Sequence, residues 1–185
     1  MSDGEQNISD HIFFLFFFCV KIFAMNNYAF IDAQNVHLGI KSLGWVLDWQ
    51  KFRVYLKDKY HVTTAYIFIG FMDSNQDLYS ILQKAGYVLI FKPVIMDSDG
   101  KVKGNCDADL VLHTILEKDN FDKAIIITSD GDFYSLVKYL YENNKLLFVL
   151  SPYVQTCSKL LRKEAKEKIY SMDNLRQKLE RKNYR

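Results

Sequence analysis

The sequence predicts an α/β fold, a three-layer α/β/α sandwich around a central and mainly parallel sheet. Three observations lead there. Apolar runs rich in β-branched and aromatic residues recur at 28–31, 63–71, 87–91, 124–128 and 146–150, as in strands covered on both faces. Segments with helical spacing of apolar residues lie between them, and such alternation builds parallel sheets. Acidic residues stand where two of the runs end, and open α/β sheets place their ligand crevice beyond the carboxyl ends of the strands.

The elements follow in order. After the strand at 28–31, Val36 to Lys41 reads as helical, with Gly44 interrupting. Asp48 is placed to cap a helix bearing Phe52, Val54, Tyr55 and Leu56. The strand at 63–71 leads to a helix with Leu78, Ile81 and Leu82 on one face, which Ser74 can cap and Gly86 can end. Pro93 stops the strand at 87–91. Residues 97–104 are polar, contain two glycines and read as a mobile loop. A helix at 106–118 precedes the strand at 124–128. The helix at 132–142 ends at Asn143-Asn144, and Pro152 breaks the strand at 146–150 before C-terminal helices.

The chain has 185 residues, 49% of them hydrophobic and 15% aromatic, enough for one domain with a substantial core. A formal net charge of +2 points to no polyanion by itself. From Arg162 onward Lys and Arg are frequent, but Glu164, Glu167 and Glu180 are interspersed, which suits a solvated helix surface better than a dedicated nucleic-acid patch. Cys19, Cys106 and Cys157 lack metal-ligand spacing and read as reduced thiols of a cytoplasmic protein. His11, His37, His61 and His113 form no zinc-binding pattern.

Residues 1–24 stand apart. Their Phe-heavy run from Ile12 to Val20 is too short to span a bilayer and follows acidic rather than basic residues. The expectation is a non-native or misassigned leader at 1–24, a domain at 25–170 and a basic helical tail at 171–185. A weak membrane anchor is the alternative for the leader.

Three acidic segments concentrate the chemistry. Asp32 follows the first strand, Asp130-Gly131-Asp132 follows the run at 124–128, and Asp107-Ala108-Asp109 opens a helix. Each could be a helix cap or a helix-dipole partner. Together they suit a divalent cation, because like charges brought together need one. In-line attack on a phosphodiester can use two such cations about 3.5–4 Å apart, held by carboxylates. Hard oxygen ligands favour Mg²⁺ or Mn²⁺. Asp32 and Asp130 rank first as ligands, with Asp132 binding directly or through water. Helical phase turns Asp107 towards the sheet with Leu110 and Val111, and Asp109 more outward. Gly131 lets a phosphate or metal approach the backbone. Asn35 could orient a water or a substrate phosphate, or cap a helix, and Lys103 could attract the scissile phosphate.

At these residues the sequence resembles the NYN domain family, relatives of the PIN nucleases that include LabA-like proteins. The matching pieces are residues 28–35, with Asp32 and Asn35; 103–110, with Lys103, Gly104 and Asp107; and 128–133, with Ser129, Asp130 and Asp132. Asn105-Cys106 separate Lys103-Gly104 from Asp107, a wider spacing than in some relatives. The resemblance spans roughly 26–170. It implies a PIN-like sandwich and Mg²⁺- or Mn²⁺-dependent hydrolysis of single-stranded RNA. Asp32, Asp107, Asp130 and Asp132 would be the catalytic and metal-binding acids, with Asn35, Lys103 and Ser129 at the substrate.

A non-catalytic RNA- or protein-binding regulator on the same scaffold is the competing expectation. A haloacid-dehalogenase phosphatase would want a second Asp at position 34, where Gln34 stands, and a Toprim domain a Glu in place of Asp32. No Walker or dinucleotide glycine loop occurs, so no organic cofactor is expected. Monomer and homodimer both stay open.

Overall fold

The protein is described by a computed structural model over residues 25–93, 95–96, 102–103 and 106–182. The leader at 1–24 lies outside the described residues, as does most of the stretch read as a mobile loop. The first half runs β1 (Asn27–Asp32), α1 (Ala33–Ser42), α2 (Trp49–Tyr60), β2 (Val62–Phe71), α3 (Gln76–Lys84) and β3 (Val88–Pro93). A short antiparallel pair, β4 (Ile95–Met96) and β5 (Val102–Lys103), leads to α4 (Asp107–Leu116). The second half is β6 (Ala124–Ile127), α5 (Tyr134–Glu142), β7 (Leu146–Ser151), α6 (Lys159–Ala165), β8 (Ile169–Ser171) and α7 (Arg176–Leu179).

Six strands form one sheet in the order β3-β2-β1-β6-β7-β8. Every pairing within it is parallel, so the sheet is fully rather than mainly so. Successive side chains of a strand point to opposite faces, which divides the core into two. Ala29, Ile31, Ile125 and Ile127 pack with Val36 and Ile40 of α1, Phe52 and Leu56 of α2 and Leu82 of α3. Phe30, Ala124 and Ile126 pack on the other face with Leu110 of α4, Leu136, Val137 and Leu140 of α5, and Leu161 of α6. Helices thus cover both faces.

The order has a switch point. From β1 the chain moves outward through β2 to β3, and β6 then returns to the other side of β1 before β7 and β8 continue away. Open α/β sheets place their ligand crevice at such a point, here the carboxyl ends of β1 and β6, where crossovers leave in opposite directions.

Several local expectations hold. Asp48 caps α2, its Oδ1 accepting the Lys51 amide at 3.0 Å, and Gly86 takes a positive φ of 91° just past α3. Others do not. Ser74 lies within a 3₁₀ turn, Asp73–Asn75, and α3 begins without a side-chain cap. Strands β4, β5 and β8, two or three residues each, were not expected. The C-terminal segment packs onto the domain as far as Arg181: β8 pairs with β7, Met172 and Leu179 are buried in the core, Glu180 bridges to Leu47, and the Arg181 amide donates to the Val46 carbonyl at 2.8 Å. Among the described residues no helix is long and apolar enough to cross a membrane.

Candidate metal centre

Register builds the site. Ile31 of β1 pairs with Ile127 of β6, so the next residues, Asp32 and Thr128, emerge side by side at the switch point. Asp32 caps α1, its Oδ1 accepting the Asn35 amide at 3.0 Å. Its Oδ2 accepts the Thr128 hydroxyl at 3.3 Å. Burial pushes the Asp32 carboxyl above its ordinary value of 3.8. The Asn35 amide opposes that shift, and the nearby charges of Asp107 and Asp130 add to it.

The loop after β6 is held at each residue. Thr128 is fully buried, and its hydroxyl accepts the Asp130 amide at 3.1 Å. The Ser129 amide and hydroxyl both donate to Asn35 Oδ1 at 2.8 Å. The Ser129 carbonyl accepts the amide of Ser158, the cap of α6, at 3.0 Å. Asp130 Oδ1 accepts the Asp132 amide at 3.0 Å, closing a 3₁₀ turn over Gly131–Phe133, and Phe133 anchors that turn in the core. The capping and metal-binding readings of Asp130 are therefore compatible, since a carboxylate has about four acceptor sites.

Asp107 opens α4 at the same crevice, with Leu110 buried one turn later. Asp107, Asp130 and Asp132 each present a carboxylate oxygen, and the three lie within 4.8 Å of one another. Opposite ligands of an octahedral Mg²⁺ stand about 4.2 Å apart, given bonds of about 2.1 Å. Small rotamer changes would let the three share one ion, and an all-carboxylate donor set suits a hard cation. Asp32 is not among these three.

The remaining expected residues divide. Asn35 and Ser129 are joined to each other. Asp109 pairs with Lys92 of β3 at 3.5 Å, both side chains partly exposed. Lys103 lies in β5, and its side chain falls outside what is described. Gly131 answers a steric need different from the expected one: a Cβ there would sit 2.5 Å from Ser158 Oγ and 3.2 Å from Ser158 Cβ. Burial pushes the Cys106 thiol up to about 11, which keeps it protonated and unsuited to attack. Sequence reasoning passed over Thr128 and Ser158. A polar residue straight after a wholly apolar strand was the available signal for the first, and nothing local marked the second.

A parallel α/β/α sandwich with acids gathered at its switch point defines a PIN-like domain. The chain belongs to the NYN family, whose domain model matches residues 28–173. That family is typically one of nucleases, and its nucleases generally use divalent metals. A solved structure of a protein of unknown function from Vibrio parahaemolyticus shares the fold with a TM-score of 0.69 at 23% identity, over 82% of this chain and 95% of that one. No curated protein matches the chain.

Proposed function

We propose that this protein is a divalent-metal-dependent endoribonuclease that hydrolyses phosphodiester bonds of single-stranded RNA. The observation behind this reading is the convergence of Asp107, Asp130 and Asp132 within 4.8 Å at the switch point of a NYN fold. These three would hold Mg²⁺ or Mn²⁺, which when bound lowers the pKa of a water and stabilises the leaving oxygen. Asp130 and Asp107 are partly buried and Asp132 is exposed, so Asp132 forms the solvent side of the cluster, where a phosphate would arrive. Asp32 supports the cluster from below, both of its oxygens accepting hydrogen bonds from the elements on either side. A flexible single strand can bend a phosphate towards acids at the carboxyl ends of β1 and β6 more easily than a duplex can.

The test is cleavage of end-labelled single-stranded RNA in Mn²⁺ or Mg²⁺, beside EDTA and beside Asp130→Asn. Internal cuts that vanish with EDTA and in the variant are expected. RNA bound without turnover in either metal would instead make this a binding module.

A further inference from the structure

We infer that Asn35 is a positioning residue for the loop that presents Asp130 and Asp132, not a contact for RNA. The inference rests on the proposed metal site. Asn35 Oδ1 accepts two hydrogen bonds at 2.8 Å, from the Ser129 amide and from the Ser129 hydroxyl, across 94 residues of sequence. Both donors belong to the residue just before Asp130. Ser129 is 7% exposed, so water cannot readily replace the acceptor it would lose.

The origin of the latch is rigid. Asn35 sits in the first turn of α1, and its own amide is tied to Asp32 Oδ1. The flanking Ala33 and Val36 are buried in the core. On the far side, the Ser129 carbonyl accepts the Ser158 amide at 3.0 Å, and the Thr156 hydroxyl reaches Ser129 Oγ at 3.5 Å. Ser129 is thus gripped by α1 and by the segment entering α6, and Asp130 leaves it in one direction. Without the latch, Asp130 and Asp132 would sample positions apart from Asp107, and ion affinity would fall. Groups that orient metal ligands typically account for about 10–100-fold in metal affinity.

The test measures two quantities in the full chain: the Mn²⁺ dissociation constant, from the EPR signal of free Mn²⁺ without RNA, and KM for labelled RNA at saturating Mn²⁺. Asn35→Ala is expected to weaken Mn²⁺ binding about 10–100-fold and to leave KM at saturating Mn²⁺ within about twofold. Ser129→Ala, which removes one of the two donors, should weaken Mn²⁺ binding less. The double variant should bind no more weakly than Asn35→Ala alone, the non-additivity of residues that act on each other.

A raised KM with unchanged Mn²⁺ affinity in Asn35→Ala would overturn the inference and return Asn35 to the substrate. So would fully additive losses. Should Asn35→Ala fail to melt cooperatively, Ser129→Ala decides alone, and wild-type Mn²⁺ affinity in it overturns the latch. Wild-type protein that binds no Mn²⁺ would remove the metal site and the latch together. Wild-type binding that Asp130→Asn abolishes and Asn35→Ala leaves intact would remove the latch only.

Discussion

Thr128 and Asp32 leave adjoining parallel strands side by side, and the hydroxyl of the first donates to the carboxylate of the second at 3.3 Å. The same hydroxyl accepts the Asp130 amide at 3.1 Å. One buried oxygen therefore links an acid of β1 to an acid beyond β6.

Thr128→Val keeps the shape and deletes both bonds. It should destabilise the fold by about 1–3 kcal/mol, the cost of leaving a buried donor without a partner. Thr128→Ser keeps the hydroxyl and should lose less. Urea melts of the two variants check this, and equal stability of both would show that the hydroxyl contributes nothing beyond packing.

Asp32 gives a pH dependence. Burial, aided by Asp107 and Asp130, holds its carboxyl above the 3.8 of an ordinary aspartate. The folded state therefore holds this proton more tightly than the unfolded chain does. Linkage then makes the ionised carboxylate a cost to folding at neutral pH, relieved as pH falls through the raised value. Asp32→Asn removes that cost while Asn still caps α1. The variant should melt at higher temperature than wild type at pH 7 without divalent metal, and the gap should close on acidification. A lower Tm at pH 7 would contradict this account.

Gly131 is required by space. Its backbone lies so close to Ser158 that an added Cβ would stand 2.5 Å from the hydroxyl. The hydroxyl can swing aside only by releasing the Leu160 amide, which it accepts at 3.2 Å. Gly131→Ala should cost about 1–3 kcal/mol as overpacking, and Ser158→Gly in the same chain should recover part of the loss. Thermal melts of the single and double variants measure it, and failure to recover would place the strain elsewhere.

The division between what the sequence disclosed and what it withheld follows interaction range. Strands β1 and β6 were legible because burial on both faces demands unbroken apolar runs, and Asp48 because a cap bonds three residues away. Strand β8 was hidden: its Ile169, Tyr170 and Ser171 lie at the sheet edge with no fully buried side chain. Towards the C-terminus Met172, Leu175 and Leu179 recur at helical spacing among polar residues, and only tertiary contact shows Met172 and Leu179 to be core. At the site, the acids could be found as strand-end residues. The reasons for Asn35 and Gly131 lie in Ser129 and Ser158, which are distant or unmarked in sequence.

Asp107 and Asp109 offer an internal control on the proposed metal site. Both lie in the first turn of α4, where a negative charge gains about 0.3–1 kcal/mol from the helix dipole. Asp109→Asn should therefore lower stability by a similar small amount, whereas at Asp107 that loss is offset by relief of repulsion from Asp32 and the clustered carboxylates. Their surroundings differ: Asp107 stands with Asp130 and Asp132, whereas Asp109 faces Lys92 in a partly exposed pair worth at most about 1 kcal/mol. Asp107→Asn should weaken Mn²⁺ binding at least about tenfold and suppress RNA cleavage, while Asp109→Asn should leave both near wild type. Calorimetric Mn²⁺ titration and the cleavage assay, read beside a melt of each variant, separate ligand loss from dipole loss. Equal loss of Mn²⁺ affinity in the two would mean that the site responds to net negative charge and not to a defined set of ligands.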